Sequence, residues 1–340
     1  MNRAAGITSN TVPWEILRAA GYAPSLMEGD KDPTPYADRF MESVFDRRIR
    51  VIFDRLCSGA WKHLELVVVS RTSEPEHKLY LYLREAARIH GVNSIPRLYL
   101  YNLLHTRTSE SFNYGLERTR AMVRDFEVNQ DRLLESIVEG NRARAAIREI
   151  LRWRRQGLLE GSVALGIIRK FYSESRDRFP DIVQAQLPAV QLPAPARRPK
   201  ILIKGAPLDD DALHRLVEQS GGYVLAEDDW RGARAAGAQD IRIDGDPATA
   251  IFEKYFYDTV SPRIHPAAEA DSWFRREIET GEVDGVLFYV PLEDDVVGWD
   301  YPRHFDFLRK QSVPSLLVRS ANGEAAPVAA FVEDLRRRQS

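Results

Sequence analysis

The stretch "LELVVVSRTSEPEHKLYLYLREAARIHGVNSIPRLYLY", Leu64 to Tyr101, decides the fold. Its first seven residues are rich in β-branched side chains and alternate little, the pattern of a parallel strand covered on both faces. "KLYLYLREAARIHG" then follows a helical period closed by Gly91, and "IPRLYLY" reads as a second strand. Strand, helix and strand make a β-α-β unit.

Upstream, "GITSNTVPWEILRAAGYAPSL" (Gly6 to Leu26) reads as a loop with Ser9, Asn10 and Thr11 at its tip, leading into an amphipathic helix. Pro13 sits near the start of that helix, where a missing N–H costs least, and Gly21 ends it. A charged helix follows with Phe45, Ile49, Ile52, Phe53 and Leu56 at helical spacing. From Ser109 to about Phe179 the pattern is helical and heavily charged, with apolar stripes at Phe112, Leu116, Met122, Phe126, Ile147, Ile150 and Leu151. The proline-rich "QLPAVQLPAPARRP", Gln186 to Pro199, suits neither a helix nor a central strand and reads as a linker.

Alternation then resumes. "KILIKGAP", "YVLAEDD", "DGVLFYV" and "PSLLVRS" read as strands; "DDDALHRLVEQSG", "DPATAIFEKYFYDTV", "EADSWFRREIETGE" and "PVAAFVEDLRRR" read as helices. The expected organisation is an N-terminal α/β domain over 1–108, a helical segment over 109–185, a linker over 186–199 and a C-terminal α/β domain over 200–340. The fold class is α/β with parallel sheets, which places ligands beyond the carboxyl ends of the strands, in the loops beginning at Ser70, Gly205, Asp228, Pro291 and Ser320.

Composition excludes several functions. Forty-eight basic against fifty acidic side chains leave a net charge of −2 over 340 residues, and no basic run is interleaved with aromatics, so nucleic acid is not an expected partner. No apolar stretch approaches the roughly 20 residues that span a bilayer, and the chain reads as cytoplasmic with no membrane partner. The single cysteine, Cys57, excludes an internal disulfide and any cysteine-rich metal site within this chain; it reads as a small buried hydrophobe.

Neither a nucleotide-binding glycine fingerprint nor a P-loop occurs, and no G-x-S-x-G or H-x-x-x-H is present. His265 and His304 read as acid–base candidates or as ordinary hydrogen-bonding residues. The acidic tract from Glu293 to Asp300 follows a strand, where carboxylates can bind a hard cation or transfer protons; it also reads as a solvated loop.

Four segments in order resemble the 2-hydroxyacyl-CoA dehydratase family, which includes the related subunits of benzoyl-CoA reductase. "GITSNTVPWEILRAAG" is similar to the family pattern G-x-x-C-x-x-x-P-x-E-[LI]-[IL]-x-A-A-G. "VVVSRTSEPEHKLYLYLRE" is similar to the family's strand, cysteine turn and helix. "KILIKGAPLDDDALHRLVEQSGGYVLAEDDWRGAR" resembles the opening of its second domain, ending in Asp-Asp-x-x-x-x-Arg. "DGVLFYVPLEDDVVGWDYPRHFDFLRKQSVPSLLVR" resembles its closing strand, cysteine loop, Tyr-Pro helix and final strand. The resemblance covers almost the whole chain.

The resemblance implies two Rossmann-like halves joined by helices, as one subunit of a two-subunit enzyme. In the family, three cysteines per subunit hold a four-iron, four-sulfur (4Fe-4S) cluster. An electron from an ATP-driven activator passes through it to the substrate thioester, forming a ketyl radical from which the hydroxyl and β-proton leave. In this chain the three positions fall on Ser9, Ser73 and, counted back from "DYP", Asp294. Hydroxyls and a carboxylate are poor ligands for low-potential iron and sulfide. The resemblance therefore implies no cluster and no metal in this chain, and a vacated pocket between the halves lined by Ser9, Asn10, Thr11, Ser73, Glu74, Asp294 and Asp295.

Three functions compete. The first is a subunit that pairs with a homologous, cluster-bearing subunit, as a hetero- or homodimer, around an acyl-CoA substrate. The second is a family member repurposed to bind a small ligand or hard metal for non-redox chemistry, and the third is a structural partner. For a dimer, Phe112, Tyr114, Tyr255, Phe256 and Tyr257 are the expected contact residues.

Overall fold

A computed structural model describes residues 3–29, 33–190, 197–208, 210–232, 234, 237, 239–292, 294–320 and 324–339. In chain order the elements begin with β1 (Arg3–Ile7), α1 (Trp14–Ala19), β2 (Tyr22–Leu26), α2 (Ala37–Phe40), α3 (Arg47–Cys57) and β3 (Leu66–Ser70). They continue with α4 (Glu74–His90), β4 (Arg97–Tyr101), α5 (Ser109–Asp125), α6 (Gln130–Arg155), α7 (Gly161–Ser173) and α8 (Phe179–Gln186). Then come β5 (Lys200–Gly205), α9 (Ala212–Gln219), β6 (Tyr223–Asp228), α10 (Pro247–Tyr257), α11 (Ala267–Glu279), β7 (Gly285–Tyr289), α12 (Asp295–Lys310), β8 (Ser315–Val318) and α13 (Ala325–Gln339). The fold is α/β, with two four-stranded parallel sheets ordered β2-β1-β3-β4 and β6-β5-β7-β8. No helix among the described residues is long and apolar enough to cross a membrane. Of the proline-rich segment, Leu187–Val190 forms a 3-10 turn, and 191–196 lie outside the described residues.

The chain divides into two compact units. The first comprises 1–144, 172–177 and 239–266; the second comprises 145–171, 178–238 and 267–340.

In the first unit, β3 is buried along its whole length, as its β-branched run requires, and pairs with β1 on one side and β4 on the other. Helix α4 begins at Ser73, whose Oγ accepts from Glu76 N at 3.4 Å, and ends at Gly91 in the left-handed region at φ 61°. Strands β1 and β2 were not expected from the sequence. Ala4, Ala5 and Gly6 are weak strand formers, and Pro24 interrupts "YAPSL". Tertiary pairing overrides these preferences: β1 lies between β2 and β3, where Ala5 is fully buried and a Cβ at Gly6 would meet Met27 Sδ at 2.6 Å.

Helix α10 packs in this unit against α5. A Cβ at Gly115 would sit 2.5 Å from the Phe252 ring, so only glycine permits this approach. Phe112 meets Phe252 and Phe256 edge-on at 4.9 and 5.6 Å. Tyr255 and Phe256, expected at a contact surface, are therefore core residues, whereas Tyr114 and Tyr257 are exposed. The Asn141 side chain clamps both backbone groups of Ile241, accepting from its N–H at 2.9 Å and donating to its carbonyl at 2.7 Å.

In the second unit, β5 lies between β6 and β7. Gly205 ends β5 at φ 142°, and a Cβ there would collide with Tyr289 O at 2.0 Å. The acidic tract does not continue as a loop. Asp294 caps α12, its Oδ1 accepting from Val297 N at 3.0 Å, and the helix runs on through Pro302.

Candidate functional site

Both sheets place their first strand between the strand that follows it and the strand after that. The chain thus leaves β1 toward β2 on one side and returns at β3 on the other, and β5, β6 and β7 repeat the arrangement. Such a reversal opens a crevice at the carboxyl ends of the two central strands, where α/β proteins hold ligands. In the first unit the crevice lies between the loop after β1, residues 8–13, and the loop after β3, residues 71–73.

Hydroxyls fill it. Ser9 Oγ lies 2.7 Å from Ser70 Oγ and 3.0 Å from Thr11 Oγ1, and it also bonds Thr72 Oγ1. Thr72 Oγ1 lies 2.5 Å from Thr11 Oγ1 and 2.9 Å from Ser70 Oγ. All four residues are fully buried, and the chain of hydroxyls ends where Ser70 Oγ donates to Glu76 Oε2 at 2.9 Å. Glu76 is 1% exposed. Burial pushes its carboxyl up to about 7, although Arg48, 3.5 Å away, favours the charged form. Arg48 also donates to Thr8 O and so ties the first loop to α3.

The site residues named from the sequence divide as follows. Ser9 and Thr11 belong to the hydroxyl network, and Asn10 is buried in the same loop. Ser73, one residue beyond Thr72, spends its hydroxyl on capping α4, and Glu74 pairs with Arg263. Asp294 belongs to the second unit and is the α12 cap; Asp295 is the first residue of that helix, and Glu293 lies outside the described residues. The sequence reading missed Ser70, Thr72, Glu76 and Arg48. The signal was present in "SRTSEPE", whose Ser-x-x-Glu pattern suggests a reciprocal cap, but Glu76 turns to Ser70 instead.

These donors do not suit an iron–sulfur cluster. The first-loop hydroxyls bond one another, Ser73 and Asp294 hold helix termini, and no thiolate stands at any of the positions. Cys57 is buried in the last turn of α3, where burial and the neighbouring Asp54 push its thiol up to about 12. Among the described residues no three of His, Cys, Asp and Glu are grouped to hold a metal ion.

In the second unit the Asp-Asp-x-x-x-x-Arg segment closes on itself. Asp228 bonds Arg234 and lies 2.6 Å from Lys204 Nζ; burial opposes its charge, but the two cations hold its carboxyl below the usual range. Asp229 accepts from the backbone of Arg231 at 2.6 Å and of Gly232, and burial lifts it to about 6. His304 Nε2 lies 2.7 Å from Asp271 Oδ1, and Arg303 forks onto the same carboxylate at 2.9 and 3.1 Å. His265 forms an isolated bridge with Thr106.

The first helix is fixed in the same manner. Glu15, the glutamate of "PWEILRAAG", is fully buried against Arg144 and accepts from Tyr255 Oη at 2.9 Å. A Cβ at Gly140 would meet Glu15 Oε1 at 2.6 Å. Glu15 therefore anchors α1 to α6 and α10, and its carboxylate serves structure.

A search of characterised proteins finds no match. The family model described as 2-hydroxyglutaryl-CoA dehydratase, D-component, matches residues 10–338, from the hydroxyl loop to the last turns of α13. On that match, spanning both parallel-sheet units, the chain belongs to the 2-hydroxyglutaryl-CoA dehydratase D-component family.

Proposed function

We propose that this chain is a cluster-free subunit of a cytoplasmic, dehydratase-type complex acting on acyl-CoA, and that it pairs with a homologous subunit carrying the 4Fe-4S cluster. The observation that carries the reading is the hydroxyl network at the β1/β3 crevice. The loop that resembles the family's first cysteine loop carries donors that satisfy one another through Ser9, Thr11, Ser70 and Thr72. Leaving such hydroxyls buried and unpaired costs about 1 to 3 kcal/mol each, so this mutual bonding stabilises a loop that no longer has thiols to offer a metal. In the first unit the loops carrying Ser9, Asn10, Thr11, Ser73 and Glu74, and in the second the start of α12 at Asp294 and Asp295, are proposed to face the partner, which is proposed to hold the redox group.

Co-expression with homologous reading frames from the same genomic neighbourhood, followed by affinity purification through this chain, tests the proposal. The expected result is a stoichiometric partner bearing cysteines at the family positions, with iron and acid-labile sulfide in the complex. Purification of this chain alone from such a co-expression overturns it. A second reading, a repurposed member doing non-redox chemistry, draws on Glu76, whose carboxyl near neutrality ends the hydroxyl chain. Turnover of an acyl-CoA by this chain alone favours that reading.

A further inference from the structure

A second cluster in the first unit is not used by the hydroxyl network. His105 lies in the loop after β4 and is 4% exposed; the Arg71 backbone carbonyl lies near its ring, but neither ring nitrogen makes a well-aligned hydrogen bond. The His105 carbonyl accepts from His265 N at 3.2 Å, and Arg107 N donates back to His265 O at 2.8 Å, which fixes the loop against the segment after α10. Burial, and after it the guanidinium groups of Arg107, Arg263 and Arg71, hold the His105 imidazole well below its usual range, at about 3. Arg71 and Arg263 act in the same direction on His77 in the first turn of α4.

The arginines come from separate segments and are held in different ways. Arg263 donates to Glu74, and its backbone N–H bonds Ser261 Oγ at 3.1 Å, which in turn donates to Thr72 O at 2.7 Å. Arg107 lies over the Phe256 ring at 4.6 Å. Arg71 directly follows β3; its Nε is buried without an acceptor, and no carboxylate lies within ion-pair distance of it among the described residues. Glu74 acts on His77 with the opposite sign to Arg71 and Arg263 and is itself held below the usual carboxylate range with Arg263 beside it.

We infer that Arg71, His105, Arg107 and Arg263 form a binding site for a phosphate group, free or carried by a larger molecule. Guanidinium groups arriving from three segments suit the several oxygens of a tetrahedral phosphate better than the two coplanar oxygens of a carboxylate. A neutral imidazole that turns from the Arg71 carbonyl donates one hydrogen bond to the anion and accepts another from water or a protonated oxygen. The buried imidazole and the Arg71 Nε then gain the partners they lack. The site lies within the first unit and does not depend on pairing with a cluster-bearing subunit.

The test uses the full chain, with orthophosphate, glycerol 3-phosphate and succinate titrated calorimetrically against chloride at equal ionic strength. Saturable binding of either phosphate, weakened at least tenfold in Arg71→Gln and less in Arg71→Lys, is expected, with succinate binding more weakly. Preference for glycerol 3-phosphate over orthophosphate identifies an organic phosphate as the natural form, and the reverse identifies the free ion. A titration of the His105 ring nitrogens by NMR serves if Arg71→Gln does not fold. A bound dianion favours the imidazolium, so saturating phosphate raises the His105 pKa, whereas binding elsewhere leaves it in place. No saturable binding, or binding unchanged in Arg71→Gln with an unmoved His105, overturns the inference.

Discussion

Arg154 and Glu227 meet as a fork on a fork, Nη1 to Oε2 and Nη2 to Oε1 each at 2.7 Å, with both side chains essentially closed to solvent. Arg154 Nε also donates to Val224 O at 2.9 Å, so α6 is fastened to β6 through one side chain. Burial disfavours the Glu227 charge, but Arg154 and the bonded His214 outweigh it and hold the carboxyl far below its usual range. Arg154→Met strands a buried carboxylate and is expected to cost about 3 to 5 kcal/mol in urea unfolding. Arg154→Met combined with Glu227→Gln, which removes the buried charge and keeps a partner for His214, should recover much of that loss. Because the folded pKa is depressed, the pair's contribution is complete above the ordinary carboxylate pKa and falls away in acid. A double variant no more stable than Arg154→Met would show that the loss lies in packing.

Glu76 carries the opposite sign. Its folded pKa is raised to about 7, so between the ordinary glutamate value and neutrality the native state holds a proton that the unfolded chain has released. Stability should fall as pH rises across that interval, by on the order of 3 kcal/mol in total. Glu76→Gln removes this dependence. Its stability relative to wild type is expected to improve from pH 5 to pH 8, measured by denaturant unfolding at each pH. Parallel profiles for the two proteins would place the titration on another group.

The legible part of the fold was the part whose side chains report burial directly. The runs ending at Ser70 and Tyr289 are apolar because both faces of those strands are covered, and any reading of periodicity finds them. Strands β1 and β2 escaped because their stability comes from neighbours: small residues in "RAAGI" admit Met27 and Leu64, which no local pattern encodes. The site was legible to the same degree. The sequence marked the first loop and the loop beginning at Ser70, but not that Ser9 would bond Ser70 and Thr72, or Ser70 would bond Glu76, because a hydroxyl's partner is chosen by sheet register. Arg71, Arg107 and Arg263 resembled the many solvated arginines of the chain, and only folding brings residues 71, 107 and 263 around one imidazole.

Anaerobic reconstitution of this chain alone with iron and sulfide should give no stoichiometric cluster. The expected readout is less than about one iron per chain and no visible thiolate-to-iron band, since soft iron–sulfur chemistry wants thiolates. Cys57, with its thiol held at about 12, offers none at neutral pH. A stable band that survives Cys57→Ser would demonstrate oxygen or nitrogen ligation by this chain and overturn the expectation.

Asp294 separates a structural from a ligand-binding role most cleanly, because its observed duty is specific. Its Oδ1 accepts from Val297 N at 3.0 Å at the start of a 16-residue helix, and a carboxylate there also suits the helix dipole. Asp294→Ala should therefore cost about 1 kcal/mol, read as a lowered urea midpoint. Asp294→Ser and Asp294→Asn retain a capping oxygen and should restore most of that stability. A ligand role would break the correspondence: the capping variants would recover the fold but not the activity of the assembled complex. Stability and activity restored together by serine would confine Asp294 to holding the helix.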